Sequence, residues 1–264
     1  MFNKLRDNRA AFTLIELLAA LAVLSLLVMM LFMAFSNANR MMTLGSNQME
    51  KNQVVRAVLQ QIARDVERTV YSTTSTNIYA SPPAEIFTGS GIYTQTLYCL
   101  STLATDEGNT NTNTLSVVNV GYQLAQIPTT VFGSPVTKWA LQRGDDSDIS
   151  TVKYPTLWYN NWSASAIANG YWKTLSDNIV GIRFQFYTNG DLCSTEWNSS
   201  AIDRSNSLPQ SVGITIWAID SANYNLALKF DSTAAFSSDP AKTIFTTNVH
   251  KYTSRVFLPQ STKN

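Results

Sequence analysis

One carboxylate, Glu16, stands inside an apolar run from Phe12 to Phe35 whose only other polar residues are Thr13 and Ser25. An ionised group one turn into a lipid-facing helix is costly, so it calls for a partner. Elsewhere the means for chemistry are few. The chain has a single histidine, His250, so a Ser–His–acid triad would have to use it. No nucleophile elbow accompanies it, and no Gly-rich phosphate loop precedes a helix. Asp145-Asp146-Ser147-Asp148 is the one dense carboxylate run. Asp145, Asp146 and Asp148 are thus the candidate calcium ligands, because oxygen-rich loops hold that ion. Their spacing departs from the EF-hand pattern, and the adjacent Gly144 makes a solvated turn the simpler reading. No cofactor or metal is expected. Cys99 and Cys193 are the only cysteines. They form no Cys-x-x-Cys pair, which excludes a zinc or thioredoxin-like motif. A single Cys99–Cys193 disulfide is open if that part of the chain lies outside the cytoplasm.

The elements that must carry these residues begin with the run itself. Spanning a bilayer takes about 20 helical residues, and the run from Phe12 is long enough. No proline interrupts it. Lys4, Arg6 and Arg9 precede it against Asp7 alone, which keeps the N-terminus cytoplasmic and sends the remainder across. The apolar run exceeds the roughly 7–15 residues of a secretory signal core. A simple signal anchor would explain the length and charge but not Glu16. Over the whole chain, Lys plus Arg is 19 and Asp plus Glu is 18, so no global field draws a polyanion, and nucleic acid is not an expected partner.

Beyond Asn37, Asn39 and Arg40 the helical pattern continues. Val54, Val55, Val58, Leu59, Ile62, Val66 and Val70 recur at three- and four-residue steps. Lys51, Arg56, Gln60, Arg64, Asp65 and Arg68 fill the other positions, which predicts an amphipathic helix to about Tyr71, loosened at Gly45. Ser72 to Thr76 breaks it. Strand patterns then dominate: Val118, Val120, Tyr122, Leu124; Val180, Ile182, Phe184, Phe186, ahead of a turn at Asn189-Gly190-Asp191; and Val212, Ile214, Ile216, Ala218. The expected fold class is α+β, a long N-terminal helix packed on an antiparallel, β-rich head. The expected division is a basic leader over 1–11, a transmembrane half-helix over 12–36, an amphipathic half over 37–71 and a head over 72–264.

Arg9-Ala-Ala-Phe12-Thr-Leu-Ile-Glu16-Leu-Leu resembles the processing site of type IV pilin-like proteins, among them the pseudopilins of type II secretion. The resemblance implies cleavage between Ala11 and Phe12 by a prepilin peptidase and methylation of the new amine on Phe12. Glu16 then falls at the fifth mature position. Ala11 departs from the usual glycine before the cut. The cut creates a cation at the start of a membrane helix, in the layer that holds the Glu16 anion. A neighbouring subunit's amine and Glu16 can neutralise each other, offsetting the desolvation of both. The intramolecular alternative is Glu16 held by its own N-terminal amine and the free helix N–H groups.

The head carries further, less specific likeness. Leu175-Ser-Asp-Asn-Ile-Val-Gly-Ile-Arg-Phe-Gln-Phe-Tyr and Leu208-Pro-Gln-Ser-Val look like late strands of the large minor pseudopilins. Phe245-Thr-Thr-Asn-Val looks like their final strand. Together they suggest the J-type minor pseudopilin or the W-type minor pilin. The role so implied is structural and non-enzymatic, in the tip or initiation complex of a secretion pseudopilus or surface pilus. The implied partners are other minor subunits, the major subunit, the inner-membrane assembly platform and membrane lipid. The implied location is a single pass in the inner membrane with a periplasmic head. The competing reading is a membrane-anchored or pilus-tip binding protein, an adhesin or DNA-uptake pilin, which an exposed patch of Trp158, Tyr159 and Trp162 would favour.

Overall fold

The computed structural model describes residues 13–71, 77–104, 115–146, 172–199, 201, 207–232 and 236–258. Helix α1 runs without a break from Leu14 to Glu67, through Gly45, where a Cβ would meet nothing within 4 Å. The chain divides into two compact units, Met1–Met49 and Glu50–Asn264.

In the first unit every described side chain is exposed. Its apolar stretch reaches a mean hydropathy of 2.8 over 18 residues with none of that window buried, the one helix among the described residues long and apolar enough to cross a membrane.

The second unit is built on antiparallel sheet. A six-stranded sheet has the order β10 (Trp197–Asn198), β1 (Ile78–Ala80), β4 (Leu97–Ala104), β5 (Leu115–Val131), β6 (Ser134–Asp146), β7 (Trp172–Ser176), and a four-stranded sheet the order β12 (His250–Phe257), β11 (Ser211–Ala218), β8 (Ile179–Thr188), β9 (Asp191–Ser194). A two-stranded pair, β2 (Ala84–Glu85) and β3 (Tyr93–Thr94), completes the sheet structure. Val55, Val58, Ile62 and Val66 form the buried stripe of α1 and join residues of both large sheets in one core, including Val120, Tyr122, Phe184 and Ile214. This is the expected arrangement of a long N-terminal helix on antiparallel sheet.

Several expectations are corrected in detail. The helix ends at Glu67 rather than near Tyr71, because the chain turns to pair with β4: Thr69 bridges Ser101 and the Val70 N–H donates to the Leu100 carbonyl at 2.8 Å. Lys51 and Asp65, read as solvent-facing, are 5 % and 1 % exposed. Val180 does not share a face with Ile182, Phe184 and Phe186. The β8–β11 register shifts between Trp217 and Ala218, which turns Val180 into a second core. That core is built on two helices the strand pattern concealed, α2 (Ser221–Phe230) and α3 (Asp239–Asn248). Phe245, read as part of the last strand, is a buried residue of α3 packed on Phe236 with ring centroids 4.3 Å apart. Pro240 in the first turn and the helical step from Ala241 to Phe245 decide this. The last described strand is β12, and it begins at His250. The turn expected after β8 is a two-residue hairpin, with Asn189 at φ 53° and Gly190 at φ 88° between the paired Thr188 and Asp191.

Candidate functional site

The site begins where α1 does. Thr13 and Glu16 form a reciprocal cap. The Thr13 N–H donates to Glu16 Oε2 at 2.9 Å, and the Thr13 hydroxyl donates to the same oxygen at 3.0 Å. In return the Glu16 N–H lies 3.4 Å from Thr13 Oγ1 and 3.1 Å from the Thr13 carbonyl. A Thr three residues before a Glu at the head of an apolar helix is the capping-box pattern, which the sequence itself displays. It satisfies donors that lipid cannot. Glu16 Oε1 accepts no hydrogen bond among the described residues. The remaining polar side chain of the run is internally satisfied too, since the Ser25 hydroxyl donates to the Ala22 carbonyl at 2.8 Å. Glu16 is thus the one carboxylate in this stretch, and one of its two oxygens has no donor among the described residues.

At the other end of α1, Asp65 anchors the helix to the six-stranded sheet. Tyr122 donates its hydroxyl to Asp65 Oδ2 at 2.5 Å, and the Arg143 Nε–H donates to the same oxygen at 2.8 Å. The opposite end of the Arg143 guanidinium reaches Asp145 Oδ2 at 2.5 Å. Burial first, and the Asp65 charge second, push the Tyr122 hydroxyl well above its ordinary ionisation range. The same two causes push the Cys99 thiol up to about 12. Burial opposes the Arg143 charge, but Asp65 outweighs it and the guanidinium stays firmly protonated. The Lys51 amine is held below its usual range by burial, with Asp220 acting against the shift. Asp65, Tyr122, Arg143 and Asp145 are thus tied to one another.

The other sequence-predicted residues are dispersed. Lys4, Arg6, Arg9, Ala11 and Phe12 lie outside the described residues, as do Asp148 and the aromatics Trp158, Tyr159 and Trp162. Cys99 and Cys193 do not form a disulfide: Cys99 is buried in β4 between Ile78 and Val120, and Cys193 is exposed on β9 of the other sheet. Asp145 belongs to strand β6 rather than a loop, and Arg143 occupies its carboxylate; Gly144 is likewise within that strand, paired to Gly121 and Trp172. No group of three His, Cys, Asp or Glu with metal-binding geometry occurs among the described residues. His250 is exposed at the start of β12.

No curated protein matches this chain. Residues 6–32 match the family described as the prokaryotic N-terminal methylation motif. The capped start of α1, the open oxygen of Glu16 and the apolar stretch up to Phe32 all lie within that segment. The chain therefore carries the cleavage and methylation motif of type IV pilin-like prepilins at the head of a membrane-length helix, and is pilin-like in the antiparallel α+β build of its second unit.

Proposed function

We propose that this protein is a structural, non-enzymatic subunit of a pilin-type filament. Prepilin peptidase cuts between Ala11 and Phe12, the Phe12 amine is methylated, and the subunit leaves the inner membrane for the filament with its head on the periplasmic side. The observation that carries this reading is the half-satisfied Glu16 carboxylate inside the methylation motif. Oε2 holds the subunit's own helix start, while Oε1 is open to the cationic amine of a neighbour. One carboxylate serves both the intramolecular and the intersubunit role. Pairing requires an axial stagger between subunits, so it also sets register.

Its size suits a large minor component in a tip or initiation complex, of the J-type pseudopilin or W-type minor pilin kind. In support, the segments Leu175–Tyr187 and Leu208–Val212 end in β8 and begin β11, which are neighbours in the four-stranded sheet. The partners on this reading are other minor subunits, the major subunit and the inner-membrane assembly platform. The test is Glu16→Ala in the native assembly system. Incorporation into the filament fraction should fall while the Glu50–Asn264 unit keeps its resistance to proteolysis. Unchanged incorporation would remove the role assigned to Glu16.

A further inference from the structure

The four-stranded sheet has one face in the core, carrying Ile182, Phe184, Ile214 and Ile216. The residues that alternate with these build the opposite face, which meets the second core at Trp217 and carries three cations. Arg183 lies over the Tyr93 ring at 4.7 Å, Arg255 over the Tyr187 ring at 4.0 Å, and Lys251 near the Trp217 ring at 6.0 Å. Two glycines make the rings lie close to the sheet. A Cβ on Gly213 would stand 3.0 Å from Tyr187, and one on Gly181 would stand 3.0 Å from Trp217. The register fixes the layout. Lys251 and Arg255 are four residues apart on β12, about 13 Å, and Arg183 sits two strands away opposite their midpoint, Thr253, about 10 Å across.

Among the described residues no carboxylate pairs with any of the three cations. The Arg183 Nε–H is buried without an acceptor. Glu85, the cross-strand partner of Tyr93, is engaged with the Gly89 N–H at 2.8 Å. Phe257, 66 % exposed, adds an apolar neighbour 5.5 Å from the Arg255 guanidinium. Strand β12 is also the edge of its sheet.

From this juxtaposition of Arg183 with Lys251 and Arg255, the latter two exposed along edge strand β12, we infer that this part of the sheet docks a carboxylate-bearing surface of another protein subunit. Charge complementarity selects an anion, and the aromatic rings select the kind. A single-stranded nucleic acid needs free rings on which bases stack. Here Tyr93, Tyr187 and Trp217 each lie beside a cation, and the one exposed ring, Phe257, is a single platform rather than a row of them. What remains exposed is the Lys251 ammonium and the Arg255 guanidinium, which match carboxylates, with Arg183 half-buried behind them. That the partner is a fellow filament subunit rests on the assembly reading; the cationic face itself does not.

The test uses the full chain in detergent and a short dye-labelled poly-L-glutamate as probe, followed by fluorescence anisotropy. Binding should weaken with salt, and Lys251→Glu with Arg255→Glu should reduce affinity about tenfold or more. Arg255→Gln alone should give a smaller loss in the same direction. Lys229→Glu, a charge reversal on exposed α2, should leave binding unchanged. Equal loss in Lys229→Glu, no loss in the double variant, or tighter binding of oligothymidylate or phosphatidylglycerol vesicles through the same residues would overturn the inference. The measurement needs no filament, so its failure and the failure of the Glu16 experiment are separate outcomes.

Discussion

Tyr122 on β5 and Asp65 on α1 meet through a 2.5 Å hydrogen bond in the core, 57 residues apart in sequence. Arg143 shares the same carboxylate oxygen at 2.8 Å, so helix and sheet are joined by a buried ion pair with a neutral donor beside it. Removing one partner of such a pair strands the other. Asp65→Ala should cost about 3 kcal/mol or more in chemical denaturation of the full chain. Tyr122→Phe, which removes one donor and leaves the ion pair, should cost about 1–2 kcal/mol. An Asp65→Ala variant as stable as the wild type would show that the ion pair does not hold helix and sheet together.

The same cluster sets an alkaline limit. Tyr122 and Cys99 both have folded-state values raised above their ordinary 10 and 9, so the unfolded chain loses these protons first as pH rises. The unfolded state then binds fewer protons than the native state, and stability falls with increasing pH. The loss should begin near pH 9 through Cys99 and steepen above pH 10 through Tyr122, by up to about 1.4 kcal/mol per pH unit for each proton. Denaturation curves between pH 8 and pH 11 check this, and Cys99→Ala should flatten the first part of the decline.

Glycine is required at one point of the four-stranded sheet more than at another. A Cβ on Gly181 would lie 2.5 Å from Ile92 Cγ2 and 3.1 Å from the Tyr93 carbonyl, and the backbone atom cannot move aside. At Gly213 the first obstacle is the Tyr187 ring at 3.0 Å, a half-exposed side chain that can tilt. Gly181→Ala should therefore destabilise by about 1–3 kcal/mol and Gly213→Ala by less. The midpoints of urea transitions, ranked against each other, test the order.

At the helix start, Thr13→Val removes the hydroxyl that donates to Glu16 and accepts from its N–H, whereas Thr13→Ser keeps it. Amide hydrogen exchange in detergent should rise at Glu16 and Leu17 in the valine variant and stay near wild type in the serine variant. Equal exchange in both would mean that the cap is not made by the hydroxyl.

Much of this was readable from residue order because periodicity reports burial. Val55, Val58, Ile62 and Val66 fall on one helical face, and Val212, Ile214, Ile216 and Ala218 on one strand face, and each set is buried as its spacing requires. What periodicity could not report is tertiary compensation. Asp65 looks like a solvent-facing residue until Tyr122 and Arg143 arrive from distant strands. A single shift of register reverses Val180, which no local pattern announces. Helix α2 depends on Asp220, whose side chain accepts from the Asn223 N–H at 2.9 Å, a local cap hidden in a polar stretch. The functional segment was legible for a different reason: an unpaired carboxylate in an apolar helix is conspicuous against any background.

Processing at Phe12 is read out by intact mass and N-terminal peptide mass spectrometry of the protein recovered from its native membrane. The mature chain should begin at N-methylated Phe12, with Lys4, Arg6 and Arg9 removed. A chain that keeps Met1, or one cut beyond Ser36, would contradict it.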